Sequence, residues 1–150
     1  MWLFEEENFN PTPEALATWV GFVYEVNDTA NGKKYIGKKG FWSTRRLQPL
    51  KGKKRKRVVK KESDWKTYYG SNEEIKLLVE ASDPERWERR ILRLCTSKGE
   101  MSYYEAKEQI ERNVLFDDSY YNEFIGLKIH AKHVGHLKEK FIDERDKETE

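Results

Sequence analysis

The stretch Gly21-Phe22-Val23-Tyr24-Glu25-Val26-Asn27-Asp28-Thr29-Ala30-Asn31-Gly32-Lys33-Lys34-Tyr35-Ile36-Gly37-Lys38-Lys39 sets two short runs of β-branched and aromatic residues around a turn cluster that ends in Asn-Gly. Residues 19–27 and 33–38 read as strands, because such side chains suit a pleated, half-buried surface. Joined through residues 28–32, they predict a β-hairpin with Tyr24 on its first strand and Tyr35 on its second. Two tyrosines on paired strands are ordinary cross-strand packing when nothing else accompanies them. A glycine at the end of a strand, Gly37, is equally compatible with a bulge or a turn.

Outward from the hairpin, Ser43 or Thr44 is expected to cap a short helix carrying Arg45 and Arg46, stopped by Pro49. Residues 51–61 read as a solvated loop or an irregular hairpin, since so many like charges repel within a regular element. Residues 64–71 return to order, and Ile75, Leu78 and Val79 give residues 73–81 helical spacing. Residues 86–95 suit a strand, with helix as the alternative. Residues 101–116 form the strongest predicted helix, with Tyr103, Ala106, Ile110 and Val114 on one apolar stripe. Pro11 and Pro13 leave residues 1–18 as an N-terminal arm with a helical turn near Glu14. The expected domain is 19–125, followed by a charged C-terminal segment, 126–150, that packs on it or trails from it.

With 150 residues, the chain fits one domain around a modest core. Apolar and charged residues each make up 37% and mean hydropathy is -0.98, which implies a polar surface over a small interior. The 13% aromatic content argues against a disordered chain. The opening residues lack the basic flank and apolar run of a signal peptide, and no stretch approaches membrane-spanning length, so a soluble cytoplasmic protein is expected. A single cysteine, Cys95, excludes an intramolecular disulfide and a four-cysteine zinc site. Its apolar neighbours mark it as an inert, buried residue.

The net charge of +2 hides a strong asymmetry. Residues 45–66 hold eleven Lys or Arg against two acids, whereas both ends of the chain are acidic or mixed. Segregated positive charge points to a polyanionic partner. The block that includes Lys53, Lys54, Arg55, Lys56 and Arg57 reads either as a solubilising loop or as a DNA-backbone contact. Its proximity to Trp42, Trp65, Tyr68 and Tyr69 favours DNA, because aromatic faces stack on bases. His130, His133 and His136 recur every third residue, which admits zinc, phosphate contacts or a plain surface.

The order of residues along the chain resembles the GIY-YIG nuclease family. Gly21-Phe22-Val23-Tyr24 corresponds to the first half-motif, with Val23 at the isoleucine position and Phe22 intervening. Tyr35-Ile36-Gly37 matches the second half letter for letter. Arg45 lies at the offset of the family's helix-borne arginine, with Arg46 the neighbouring alternative. Trp87 to Leu92, Tyr104-Glu105-Ala106 and Tyr121-Asn122 follow in the family's order, so the resemblance spans residues 20–125. Residues 49–66 exceed the compact family core as a basic insertion, and Tyr68-Tyr69-Gly70-Ser71 is similar to a run found in small phage-encoded members.

The resemblance implies a small α/β fold: an antiparallel sheet made of the tyrosine hairpin and a third strand, flanked by helices. It further implies cleavage of double-stranded DNA assisted by Mg²⁺, with Mn²⁺ as the alternative, by a monomer or homodimer. The runner-up is a catalytically silent DNA-binding or phage interaction protein that keeps the fold. In the nuclease reading Glu105 holds the metal and Arg45 the scissile phosphate. Tyr24 orients or deprotonates the attacking water, needing a cation such as Lys38 or the metal if it is to ionise. Tyr35 supports the phosphate or the water network, Asn122 braces the site, and Lys38 and Arg46 add DNA contacts. Glu105 lies off the predicted apolar stripe, so family order selects it and helical phase does not.

Overall fold

The computed structural model describes residues 1–126 and residue 136. Strands β3 (Gly21–Asp28) and β4 (Lys34–Gly40) form the expected antiparallel hairpin, with Tyr24 opposite Gly37 and Val26 opposite Tyr35. Asp28 N–H donates to Lys33 O at 2.8 Å, and Gly32 takes a φ of 75° to close the turn.

On the other side of β3 lies antiparallel β7 (Trp87–Cys95), so the segment expected over residues 86–95 is strand from Trp87 onward. A register shift between Val23 and Tyr24 leaves one extra β7 residue, Leu92, in this pairing. Beyond such a bulge the alternation changes face. Trp87, Arg89 and Ile91 therefore share a layer with Phe22, Tyr24 and Val26, whereas Cys95 joins Val23 and Ile36 in the opposite one.

The sheet is larger than the hairpin plus one strand, and it is mixed rather than purely antiparallel. Residues 1–18, expected as an arm, contribute β1 (Leu3–Phe4) and β2 (Glu7–Asn8); β1 runs parallel to β7, giving the order β2-β1-β7-β3-β4. Trp2 is 1% exposed in the core and donates its indole N–H to Trp65 O at 2.7 Å. Glu5 and Glu6, with φ of 52° and 65°, make the tight reversal between the two short strands. Helix α1 (Pro13–Leu16) is capped by Thr12 and starts at proline, where the missing N–H costs nothing.

Both faces of the sheet are covered. One carries an aromatic layer of Trp2, Phe22, Tyr24, Phe41, Trp65 and Trp87, joined by Ile75 from α2 (Glu73–Glu80). Against the other packs α3 (Lys98–Glu111), with Met101, Tyr104 and the following Val114 meeting Val23, Ile36 and Cys95. Helix α3 begins three residues earlier than the periodicity predicts, because Ser97 accepts from Glu100 N–H at 3.0 Å as its N-cap. It ends before Phe116 because Asn113 turns left-handed at φ 54°.

The predicted helix at residues 43–46 is absent. In its place β5 (Trp42–Leu47) pairs with β6 (Arg57–Glu62) as a separate two-stranded ribbon. No apolar stripe in residues 42–47 could bury a helix, whereas Thr44, Val58 and Val59 are β-branched and pair across strands. Extended strands also send successive like charges to opposite faces, which relieves their repulsion. Residues 127–135 and 137–150, including the charged C-terminal segment with His130 and His133, lie outside the described residues.

Candidate active site

Tyr24 and Tyr35 lie on one sheet face as diagonal neighbours, their ring centroids 6.3 Å apart and 37° from parallel. Gly37 makes this possible. A Cβ there would overlap the Tyr24 hydroxyl and lie 2.6 Å from its Cζ, so the Tyr24 ring occupies the space a side chain would fill. Gly70 closes the layer from above, at φ 115°, where an added Cβ would lie 3.2 Å from the Tyr35 ring and 3.4 Å from the Tyr24 hydroxyl. Ser71 Oγ and Tyr35 Oη are 3.1 Å apart. Tyr68 meets Tyr24 edge-on at 6.0 Å.

Arg89 holds this covering loop in place. It is 5% exposed and donates to Lys66 O at 3.1 Å and to Tyr68 O at 2.8 Å. Its guanidinium lies between the Trp2 and Tyr69 rings, 4.8 and 4.2 Å from their centroids. A buried cation is tolerated when its donors are filled and its faces are stacked. Arg89 had no site role in the sequence reading, and Tyr68 and Tyr69 entered it only as aromatics beside the basic block. The run was visible, but nothing in spacing says that it folds over tyrosines more than thirty positions earlier.

The outer edge of β4 carries the remaining groups. An edge strand presents unpaired N–H and C=O groups that must be covered. Tyr121 N–H donates to Lys34 O at 2.8 Å, and Lys34 N–H to Ser119 O at 2.9 Å. At Ile36 the covering comes from side chains. Ile36 N–H donates to Asn122 Oδ1 at 3.0 Å, and Ile36 O accepts from Asn122 Nδ2 at 2.8 Å and Gln109 Nε2 at 3.0 Å. Two residues on, the Lys38 N–H faces the Glu105 carboxylate.

This edge corrects the helical phase assigned to Glu105. The buried residues of α3 include Met101, Tyr104 and Gln109; of the expected stripe, Ala106 and the following Val114 are buried, while Ile110 is 52% exposed. Glu105 is four residues from both Met101 and Gln109 and therefore faces the sheet edge. The polar edge of β4, with its need for donors and acceptors, rotates the helix away from the stripe that hydrophobicity alone suggests.

Burial raises the Glu105 carboxyl above its ordinary range, opposed by the Lys38 charge and by the Lys38 backbone N–H. Among the described residues no ion pair is made to Glu105. Lys38 itself donates to Ser102 Oγ at 2.7 Å. Tyr24 lies well above the ordinary phenol range, chiefly through burial, then through Tyr68, Tyr35 and Glu105. Tyr35 is raised too, mainly by burial and against the Ser71 hydrogen bond. Lys38 lies on the opposite face of β4 from Gly37, the residue paired with Tyr24. Burial therefore favours the neutral hydroxyl on both tyrosines.

Arg45 and Arg46 are exposed on β5, opposite Val59 and Val58, and not on a helix beside the tyrosines. The groups acting on Tyr24, Tyr35 and Glu105 are one another, Tyr68, Ser71 and Lys38. A cation that the sequence reading missed, Lys39, shares the face of Tyr35 and Gly37. Its Nζ lies 4.1 Å from the Tyr68 ring centroid and 2.6 Å from Asp64 Oδ1. The period-two alternation of β4 could have identified it. Lys53, Lys54, Arg55 and Lys56 sit in the ribbon's exposed connection and Arg57 begins β6.

Cys95 is buried, and its thiol is pushed up to about 12 by desolvation, which suits an inert core residue. His136 Nε2 is 3.5 Å from Glu100 Oε2. Among the described residues no group of three or more His, Cys, Asp or Glu could hold a metal ion. No helix among them is long and apolar enough to cross a membrane.

Comparison with curated proteins and with solved structures returned no match. The family described as "Putative endonuclease segE, GIY-YIG domain" matches residues 2–125, a span that takes in the short N-terminal strands, the tyrosine hairpin, Glu105 and Asn122. The chain therefore belongs to this GIY-YIG endonuclease family.

Proposed function

We propose that the protein is a metal-dependent endonuclease that hydrolyses phosphodiester bonds of double-stranded DNA, acting in the host cytoplasm if phage-encoded. The observation that carries this reading is the juxtaposition of two neutral tyrosine hydroxyls with a half-buried carboxylate that has no ion pair among the described residues. The donor set suits Mg²⁺, with Mn²⁺ as substitute, because Mg²⁺ is content with one carboxylate plus waters and substrate oxygens. Bound at Glu105, the ion would neutralise phosphoryl charge and acidify the attacking water.

The protein's own groups then position the reactants. Tyr24, held neutral by burial, orients the attacking water through its hydroxyl. The pair Tyr35 and Ser71 steadies the phosphate oxygens. Lys39 supplies positive charge on the same face, in place of an arginine from the predicted helix. Asn122 and Gln109 hold the β4 backbone between Tyr35 and Gly37 and do not react.

Relaxation of supercoiled plasmid with Mg²⁺ or Mn²⁺, compared with Glu105→Ala, tests the reading. Nicking by the parent and its loss in the variant is the expected result. An unchanged rate in the variant would remove Glu105 from the site. A second reading, a silent DNA-binding protein that keeps the fold, draws on the exposure of Arg45 and Arg46. Tight DNA binding with no nicking in either metal would favour it.

A further inference from the structure

The β5–β6 ribbon differs from a charged loop in its geometry. Cross-strand register puts Trp42, Thr44, Arg46, Val58, Lys60 and Glu62 on one face. Arg45, Arg57 and Lys61 fall on the other, with Ser43, Leu47 and Val59. Both faces are therefore basic, and residues 42–62 together hold ten Lys or Arg against one acid. Every residue of β6 is exposed, including Val58 at 64% and Val59 at 42%.

The root, by contrast, is anchored. Trp42 Nε1 donates to Trp19 O at 3.0 Å, Ser63 N–H to Phe41 O at 2.8 Å, and Ser63 Oγ to Gly40 O at 2.6 Å. A cleft of about 530 Å³ at the ribbon root is lined by Lys39 and Lys61 together with Glu62 and Asp64, and Lys39 shares its β4 face with Gly37 and Tyr35.

We propose that the β5–β6 ribbon enters the major groove of duplex DNA and seats the duplex so that one backbone follows the Lys61–Lys39 cleft to the tyrosine pair. A ribbon lying along the outside of a duplex meets phosphates on one face only and has no need of charge on the other. Inside a groove it meets a wall of phosphates on each side. Six residues per strand span about 20 Å, and the major groove, about 12 Å wide, admits a two-stranded ribbon. The anchored root fixes the angle of entry, as a flexible tether would not.

This proposal rests on the reading of the protein as a DNA endonuclease, and one experiment separates the two. Glu105→Gln is saturated with a mixed-sequence duplex and treated with dimethyl sulfate, which methylates guanine N7 in the major groove and adenine N3 in the minor groove. Plasmid nicking by the parent is scored alongside. The expected result is a fall in guanine reactivity with adenine unchanged. Arg46→Ser/Lys60→Ser and Arg45→Ser/Arg57→Ser, altering one face each, should both restore guanine reactivity and weaken binding at least tenfold. Both should keep the parent's circular dichroism and melting temperature.

Binding and nicking without guanine protection would overturn the groove proposal and leave the nuclease reading intact. So would loss of protection from one face only, the signature of a ribbon lying on the outside. Guanine protection without nicking would uphold the groove and remove the nuclease. Ribbon-dependent binding to phosphatidylserine vesicles, with none to duplex, would overturn both.

Discussion

Glu105 is destabilising where it stands, and that follows from the direction of its shift. Its carboxyl is raised by burial, so the folded state holds the proton more tightly than the unfolded state does. Stability contributed by the protonated form is then present below the unfolded value and is lost as pH rises through the folded one. Glu105→Gln, which mimics the neutral form, should melt at or above the parent's temperature at neutral pH without metal. Its nicking rate should nevertheless fall by about a hundredfold or more. Differential scanning fluorimetry paired with a plasmid assay checks both halves; a variant that melts lower while still nicking would reverse the assignment. If Glu105 holds the metal as proposed, Mg²⁺-supported activity should decline on acidification already above the ordinary glutamate range, since protonation would remove that ligand.

At the scale of elements, the tyrosine hairpin depends on a glycine and an edge. Gly37→Ala places a methyl group where the Tyr24 ring lies, with backbone on one side and the Gly70 loop on the other. Overpacking of this kind costs about 1–3 kcal/mol. Displacing Tyr24 should reduce nicking more than the modest loss of melting temperature accounts for, a difference visible in an assay run well below the transition. Asn122→Ala strips the paired side-chain contact from Ile36, leaving its buried N–H without a partner while Gln109 still serves the carbonyl. The expected cost is about 1–3 kcal/mol, measured by urea denaturation. Hydrogen exchange should quicken at Ile36 first, because the edge is where β4 opens. Arg112, the C-cap of α3, supports the same region by donating to Glu25 Oε2 at 2.6 Å.

Across the whole molecule, one buried carboxylate joins three distant segments. Asp28, 0% exposed at the end of β3, accepts from Arg86 Nε and Nη2 at 2.7 Å each and from the Tyr121 hydroxyl at 2.6 Å. The Arg86 hydrogen bonds are the main cause holding its carboxyl below the usual range. A depressed folded value means that the stabilisation is full above the unfolded carboxylate range, about 3.9, and is lost as pH falls through the folded value. Asp28→Asn should lower the melting temperature at pH 7 by about 5 °C or more. The gap between parent and variant should narrow as pH drops below 4, where the parent loses the same charge; a gap constant across that window would show that the charge is not what Asp28 contributes.

Local order along the chain was enough to read the hairpin, the β7 strand and the α2 and α3 helices. Alternating β-formers around Asn-Gly and apolar residues spaced three and four apart are properties of neighbouring residues. Three features needed the folded chain. The phase of α3 was misread because hydrophobicity favoured Ile110, whereas the open edge of β4 recruits Gln109 and Glu105; polar demand from another element is not written in a helix's own spacing. The segment carrying Arg45 and Arg46 became a ribbon because its strand partner, Val58-Val59, lies beyond a basic turn, and propensity for a short segment yields to pairing. The N-terminal residues joined the sheet because Trp2 finds a buried pocket against Phe22, Tyr24 and Trp65, a contact across more than sixty positions of chain. Sequence by itself determined which residues could do chemistry and the order in which they occur. Tertiary structure decided which of them meet, because burial, edge pairing and charge are settled only when segments remote in the chain compete for the same surfaces.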